Sequence, residues 1–184
     1  MSKFSLFFGA GTALITPFEQ NGELDLISFR RLLDFQLDGG IDALLVCGTT
    51  GEAPTLTDDE ADLLLSEALR TAQKSVPVIM GIGSNCTAHA VENARRAEKG
   101  GADALLAVTP YYNKATQKGL INHYTAIADA SELPIILYNV PSRTGINITI
   151  DIYNTLADHK NIVGVKEANT SIGDFAKLSL TCGK

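Results

Sequence analysis

Six short, nearly continuous apolar runs recur along the chain, and they constrain its fold more than any other feature of the sequence. Each run is rich in Val, Ile, Leu and Ala, as expected for strands that are covered on both faces. The runs therefore predict six buried strands of a parallel sheet. They occupy residues 12–15, 43–47, 76–82, 104–108, 134–138 and 161–166.

The segments between these runs have the spacing of amphipathic helices. Apolar residues recur every three or four positions across residues 26–37, and Gly39 follows as a helix terminator. Strands and helices thus alternate with a period of about thirty residues, which is typical of βαβ units. Further helices are predicted by a capping box at residues 57–60, a cap at Thr87 and apolar repeats in residues 120–127 and 148–156.

Parallel βα units form either a doubly wound open sheet or a (β/α)₈ barrel. A dinucleotide-binding open sheet would carry a Gly-rich phosphate turn after its first strand, and residues 16–18 are instead Thr-Pro-Phe. Polar residues lie at or just after the ends of several predicted strands, as is typical of barrel enzymes. They are Thr49, Tyr111, Tyr138 and Lys166. We therefore predict an α/β fold of the TIM (β/α)₈ barrel class.

The predicted fold is larger than the chain. A barrel of this class normally needs about 250 residues, whereas the chain has 184. The sequence contains no linker and no low-complexity segment, so we expect residues 1–184 to form a single (β/α) barrel domain. We expect this domain to comprise about the first six βα units, truncated at the C-terminus.

Charge and composition exclude several classes of partner. The net charge of −6 disfavours a nucleic-acid partner, because an acidic surface repels phosphate groups. The three histidines and three cysteines have no metal-ligand spacing, so we expect no metal and no cofactor. Cys47, Cys86 and Cys182 are an odd set, which indicates free thiols in a reducing compartment.

The apolar stretch at residues 4–15 could be taken for a signal peptide. It is interrupted by Gly9, Gly11 and Thr12, however, and no small-residue cleavage site follows it. A buried first strand explains these residues better, and no apolar run has transmembrane length. We therefore expect a cytoplasmic protein with no membrane partner.

Lys166 ends the sixth apolar run. Strand alternation groups it on one face with Ile162 and Gly164. An apolar neighbourhood disfavours the ammonium form of a lysine and leaves a neutral amine that can attack a ketone. The residues alone leave a second interpretation open, in which Lys166 extends to solvent and pairs with Glu167.

Two loops could bind carboxylates. In residues 48–52, Gly-Thr-Thr-Gly-Glu, two glycines allow the backbone amides to turn toward an anion, and Thr49 could relay a proton. In the loop after the fifth run, the planar guanidinium of Arg143 suits a second carboxylate. An ordinary βα turn and a solvated surface arginine are the alternatives.

Tyrosines follow the fourth run and end the fifth. Tyr138 shares the inward face with Ile136, where its phenol could pass a proton, and Tyr111 and Tyr112 begin the preceding loop. Packing in the core is the alternative for each of them. Taken together, an amine, hydroxyls, phenols and a guanidinium at several strand ends suit a keto acid as substrate.

Four segments resemble the dihydrodipicolinate synthase family in order and spacing, and the similarity covers essentially the whole chain. The segments are residues 48–52, 111–114, 138–145 and 164–168. The resemblance implies a TIM barrel that condenses pyruvate with L-aspartate 4-semialdehyde to give 4-hydroxy-tetrahydrodipicolinate, for lysine and diaminopimelate synthesis. Sialic-acid lyases and related pyruvate aldolases share the lysine and a similar Gly-Thr-Thr-Gly loop, but they do not normally carry Pro-Ser-Arg-Thr-Gly, here residues 141–145.

The resemblance also implies a role for each site residue. Lys166 forms the pyruvate imine, and Arg143 anchors the carboxylate of L-aspartate 4-semialdehyde. The main chain around Gly48, Thr49 and Thr50 holds the carboxylate of pyruvate.

A proton relay and an assembly are implied as well. Thr49, Tyr138 and Tyr112 form the relay, with Tyr112 reaching into the neighbouring subunit of a homo-oligomer, a dimer or a tetramer. Members that lysine inhibits grip it with an Asn and a Glu, spaced as Asn85 and residue 89. Residue 89 is His89 here, so we expect weak or absent inhibition.

Two alternatives stay open. One is another pyruvate Schiff-base aldolase of the sialic-acid lyase type, against which Arg143 argues. The other is an inactive truncated chain that binds a ligand or associates without turnover.

Overall fold

The computed structural model describes residues 6–182. The thiol of Cys182 and the first residues of the 4–15 stretch lie outside the described part. The described chain divides into two compact units. The first comprises the residues up to Gly81 together with Arg96–Leu105, and the second comprises Ile82–Arg95 and the residues from Leu106 onward. The expectation of a single domain stays a prediction.

The first unit contains three parallel strands. Gly11 pairs with Ala43 and Leu44 with Val78, and every residue of the middle strand is buried. The capping box at Thr57 is confirmed. The Thr57 hydroxyl accepts from the Glu60 backbone amide, and the Glu60 carboxylate accepts from the Thr57 backbone amide. The elements are β1 (Gly11–Ala13), α1 (Leu26–Asp38), β2 (Ala43–Val46), a 3₁₀ turn (Ala53–Thr55), α2 (Asp58–Ala72) and β3 (Val78–Gly81).

The second unit contains the strands that carry most of the predicted site residues. Two elements belong partly to both units. They are the helix α3 (Thr87–Gly100) and the strand β4 (Ala104–Val108). The remaining elements are α4 (Gln117–Asp129), β5 (Ile135–Asn139), α5 (Pro141–Thr144), α6 (Ile150–Leu156), β6 (Ile162–Glu167) and α7 (Ile172–Cys182).

The strands follow one another in sequence order, from β1 to β6, in one sheet. A doubly wound sheet would reverse this order at a switch point between its halves. Sequence order, parallel pairing and intervening helices are instead the topology of consecutive βα units of a (β/α)₈ barrel. The predicted fold class is therefore confirmed. Within residues 6–182, no helix combines the length and the apolar character that crossing a bilayer requires.

Two local predictions differ from the structure. Thr87 was expected to cap α3, but the helix begins at Thr87 itself and the Thr87 hydroxyl lies 2.9 Å from Nδ1 of His123. The segment that carries Arg143 was expected to be a loop, but it is the single helical turn α5. Pro141 at its start fixes a helical φ, and Gly145 ends it at φ 69°.

Candidate active site

Lys166 and Tyr138 face each other across neighbouring strands. They are register partners in the parallel pair β5–β6, and the Lys166 Nζ lies 4.4 Å from the centroid of the Tyr138 ring. Gly164 lies on the same face, where a Cβ atom would stand 4.0 Å from Ile136. The strand end therefore presents an amine beside a phenol, as the sequence predicted for Gly164, Lys166 and Tyr138.

An irregularity in the pairing produces this arrangement. Ile162 pairs with Ile135, but the next pair is Gly164 with Ile136, so Val163 is an extra residue in β6. Ile135 and Ile136 face opposite sides of the sheet. The predicted grouping of Ile162 with Gly164 and Lys166 is therefore wrong for Ile162.

The amine of Lys166 is only partly accessible to solvent. Burial lowers its pKa from the ordinary value of 10.5, because an ammonium ion loses hydration there. The Glu167 carboxylate does not pair with it. It accepts instead from the Asn139 side-chain amide at 2.9 Å and from the Tyr153 hydroxyl at 2.8 Å. Burial thus increases the fraction of the neutral, nucleophilic form of Lys166 at a given pH, and the Glu167 carboxylate does not stabilise the charged form by an ion pair.

A polar cluster that the sequence analysis did not predict lies directly beyond this pair. Asn139 is fully buried, and its Nδ2 also donates to Oδ1 of Asn147 at 2.7 Å. The Asn169 amide donates to Glu167 at 2.8 Å. An Asn that ends one strand and a Glu that ends the next were the available signal, but their meeting depends on the register.

Arg143 projects from the turn α5. Its side chain is exposed, whereas the next residue, Thr144, is buried with its hydroxyl donating to the carbonyl oxygens of Val140 and Ile146. The Arg143 and Thr144 amides both donate to the Val140 carbonyl. The guanidinium is therefore held on a rigid base and is free to meet a ligand.

Tyr112 lies in the loop after β4 and is 89% exposed. Its backbone has φ 72°, which a residue with a side chain adopts rarely and at a conformational cost. The neighbouring Asn113 holds the loop through a 3.0 Å bond to the carbonyl of Asn85. An aromatic ring fixed outward in this way is available for contact with another molecule.

In the first unit, residues 48–52 form a tight turn after β2. Amides of residues 51–53 donate to the carbonyls of Gly48 and Thr49 at 3.1–3.4 Å, and the buried Thr16 hydroxyl donates to the Gly51 carbonyl at 2.8 Å. These bonds do not use the amides of Thr49 and Thr50, whose side chains are exposed. The turn can therefore offer amides and hydroxyls to an anion.

Cys47, which precedes this turn, is not a candidate nucleophile. Burial raises the pKa of its thiol to about 12, so the thiolate is not formed at neutral pH. Its carbonyl stands against Gly81, where a Cβ would come within 2.0 Å, so only glycine fits at that position. In the described part of the chain, no cluster of three or more His, Cys, Asp or Glu could hold a metal ion.

The predicted site residues are distributed over both units. The second unit holds Lys166, Tyr138, Tyr112 and Arg143, and it brings the first two into contact. The turn at residues 48–50 belongs to the first unit.

Comparison with known proteins identifies close relatives. A family model described as the dihydrodipicolinate synthetase family matches residues 6–184. A 4-hydroxy-tetrahydrodipicolinate synthase of Lachnoclostridium phytofermentans is 50% identical over 179 residues, which cover 97% of this chain and 61% of the relative. The chain thus spans about three fifths of the length of the curated relatives it matches.

Solved structures agree with this match. Dihydrodipicolinate synthase from Thermotoga maritima is 46% identical, with a TM-score of 0.94 over 97% of this chain and 60% of that chain. The chloride-inhibited enzyme from Acinetobacter baumannii, complexed with pyruvate, is 42% identical, with a TM-score of 0.94 over 97% of this chain and 61% of that chain.

Proposed function

The chain belongs to the dihydrodipicolinate synthetase family, and from this premise we propose that the protein condenses pyruvate with L-aspartate 4-semialdehyde through a Schiff base on Lys166. The observation that carries the proposal is the partly buried amine of Lys166 beside the Tyr138 ring. A related structure complexed with pyruvate supports the first substrate. The product, 4-hydroxy-tetrahydrodipicolinate, would serve lysine and diaminopimelate synthesis.

The first step is formation of an imine. The neutral Nζ of Lys166 attacks the keto carbon of pyruvate, and the keto oxygen leaves as water after two protons have moved to it. The lowered pKa of Lys166 supports this step, because it increases the fraction of neutral amine at a given pH. Tyr138, whose ring lies against this amine, is proposed to carry a proton in this step.

The second step forms the carbon–carbon bond. The imine withdraws electrons, so a methyl proton leaves and an enamine forms, whose terminal carbon attacks the aldehyde carbon of the second substrate. The amine of that substrate then displaces Lys166 from the imine carbon, which closes the ring and frees the lysine. By the family resemblance, Thr49, Tyr138 and Tyr112 pass the protons, and Tyr112 does so for a neighbouring subunit of a homo-oligomer.

Two carboxylates need partners in this reaction. We assign the carboxylate of pyruvate to Gly48, Thr49 and Thr50, supported by the amides and hydroxyls that their turn leaves available. We assign the carboxylate of the aldehyde substrate to Arg143, supported by its exposed guanidinium on the rigid turn α5. The Arg143 assignment favours this reaction over that of a sialic-acid lyase type of aldolase.

Borohydride trapping tests the proposal. In the protein at its natural full length, pyruvate and borohydride should give a covalent adduct on Lys166 that peptide mass spectrometry can locate. Lys166→Arg keeps the charge but cannot form the imine, so it should abolish the adduct. Lys160→Arg is the matched control, since Lys160 is exposed and bonded to Glu132 at 2.9 Å. An adduct on another lysine, or none in the wild type, refutes the mechanism.

A further inference from the structure

Two consecutive register pairs end the strands β5 and β6. The first pair is Tyr138 with Lys166, and the second is Asn139 with Glu167. Side chains alternate between the faces of a sheet, so the second pair points away from the first. The Asn139–Glu167 pair therefore lies on the opposite face of the sheet from the Tyr138–Lys166 pair and follows it directly in both strands.

Glu167 connects its own strand, β6, to three other parts of the second unit. Its carboxylate accepts from Nδ2 of Asn139 in β5 at 2.9 and 3.1 Å and from the Tyr153 hydroxyl in α6 at 2.8 Å. It also accepts from the backbone amide of Asn169 in the segment after β6, at 2.8 Å. Bonds to a carboxylate are about twice as strong as neutral ones, so this side chain joins strand, helix and loop firmly.

Asn139 also accepts two hydrogen bonds from backbone amides. Its Oδ1 accepts from the Ile148 amide at 3.2 Å, and its backbone carbonyl accepts from the Ala168 amide at 2.8 Å. Since the side chain is fully buried, removal of its partner Glu167 would deprive a desolvated donor of a strong acceptor. The pair therefore locks the register in which Tyr138 meets Lys166.

We propose that Glu167 is a positioning residue, which holds the end of β6 against Asn139 and thereby keeps the Lys166 amine beside Tyr138. The inference rests on the proposed Schiff-base function and names a further residue that this function needs. Glu167 acts through the backbone, because it points away from the reacting amine. A displacement of about 1 Å at a reacting group can cost about a hundredfold in rate.

Two substitutions separate geometry from charge. Glu167→Ala removes the acceptor for all three donors. Glu167→Gln keeps one oxygen for Asn139 and Asn169, and its new amide can donate to the Tyr153 oxygen, so the link survives without the negative charge. Glu67→Gln is the matched control, because Glu67 is also a buried carboxylate with several donors but lies in the first unit.

The measurement is the rate constant for forming the trapped Lys166 adduct at saturating pyruvate, in the protein at its natural full length. Glu167→Ala should lower it about 30-fold or more, with the half-saturating pyruvate concentration changed less than about threefold. Glu167→Gln should recover it to within about threefold of the wild type, and Glu67→Gln should leave it unchanged. A folded Glu167→Ala protein with the wild-type rate overturns the proposal. A Glu167→Gln protein that is as slow as Glu167→Ala also overturns it.

Two further readouts keep the test decisive. If Glu167→Ala does not fold, Tyr153→Phe, which removes one donor, should slow adduct formation severalfold, and an unchanged rate overturns the proposal. If the wild type forms no adduct, the proposed function fails, and hydrogen exchange then tests the positioning separately. The Ala168 and Asn169 backbone amides should exchange faster in Glu167→Ala than in the wild type. Equal exchange rates in the two proteins overturn the positioning role of Glu167.

Discussion

The amine of Lys166 lies over the ring of Tyr138, 4.4 Å from its centroid, at the ends of two paired strands. The electron-rich ring face stabilises an ammonium ion, whereas burial destabilises it. Burial lowers the pKa of Lys166. The contact therefore fixes the position of the amine, while burial increases the fraction of neutral amine at a given pH, which suits a nucleophile.

Replacement of Lys166 by Met should stabilise the protein at neutral pH. Since the pKa of Lys166 is lower in the folded state than the ordinary 10.5, the unfolded chain binds its proton more tightly. The free energy of unfolding therefore rises with pH between the folded-state pKa and 10.5, and the charged lysine destabilises the fold below that window.

Thermal unfolding measured from pH 7 to pH 10.5 checks this prediction. Lys166→Met should have a higher Tm than the wild type at pH 7, with a difference that shrinks as the pH rises. Lys160→Met is the control and should show no such gain, because Lys160 is exposed and paired with Glu132. A Lys166→Met protein that melts below the wild type at pH 7 would contradict the burial argument.

Arg143→Ala should impair use of the aldehyde substrate and spare pyruvate. Loss of a charge-assisted contact should cost about 2–3 kcal/mol, which is roughly 30- to 150-fold in kcat/KM for L-aspartate 4-semialdehyde. The rate of the pyruvate adduct on Lys166 should stay near that of the wild type. Arg95→Ala, an exposed arginine 3.8 Å from Glu92, is the control. Equal loss of pyruvate trapping would assign Arg143 to the imine pocket or to the fold.

Lysine should inhibit this protein weakly or not at all at millimolar concentrations. His89 is exposed on α3, and it cannot supply the carboxylate that the α-amine of lysine requires. Inhibition curves for the wild type and for His89→Glu check this, with the variant expected to gain some sensitivity. Strong inhibition of the wild type at micromolar lysine would show that another group binds the amine.

Glu67 should make the stability of the first unit sensitive to acid. Hydrogen bonds from Arg30 at 2.6 Å and Arg70 at 2.7 Å lower the pKa of Glu67 to about 2, from an ordinary 4.5. Its contribution is therefore present above pH 4.5 and is lost as the pH falls through about 2.

Denaturation by urea between pH 7 and pH 2 measures this contribution. Glu67→Gln should cost about 1.5 kcal/mol at pH 7, because both guanidinium groups are partly exposed, and the difference from the wild type should narrow in acid. Glu92→Gln removes an exposed carboxylate and should change little at any pH. A constant difference across the whole range would show that Glu67 acts by packing.

The regular elements were predictable from sequence because buried parallel strands are nearly continuous apolar runs. The run at residues 104–108 coincides with β4, and α1 spans the predicted residues 26–37. Lys166 and Tyr138 could be placed at strand ends for the same reason. The pattern of alternation also identified their shared face correctly, although it misplaced Ile162.

The cluster around Glu167 was not predictable, because it depends on how two strands align. If Val163 paired with Ile136 instead of being skipped in the register, Tyr138 would stand opposite Val165, and Asn139 would stand opposite Lys166. A single sequence carries no signal for such an irregularity, since Val163 fits any buried strand. The bonds of Asn139 and Glu167 therefore became visible only with the structure.

The turn α5 is anchored independently of the residues it displays. The carbonyls of Val140 and Pro141 accept hydrogen bonds from the backbone amides of the turn, and the buried Thr144 hydroxyl donates to the Val140 carbonyl. The side chains of Ser142 and Arg143 remain exposed. Substitutions at those two positions need not disturb the scaffold that holds the lysine. Under the proposed mechanism, exchange of these two surface side chains would change the preference for the aldehyde substrate and leave the proposed imine chemistry at Lys166 unchanged.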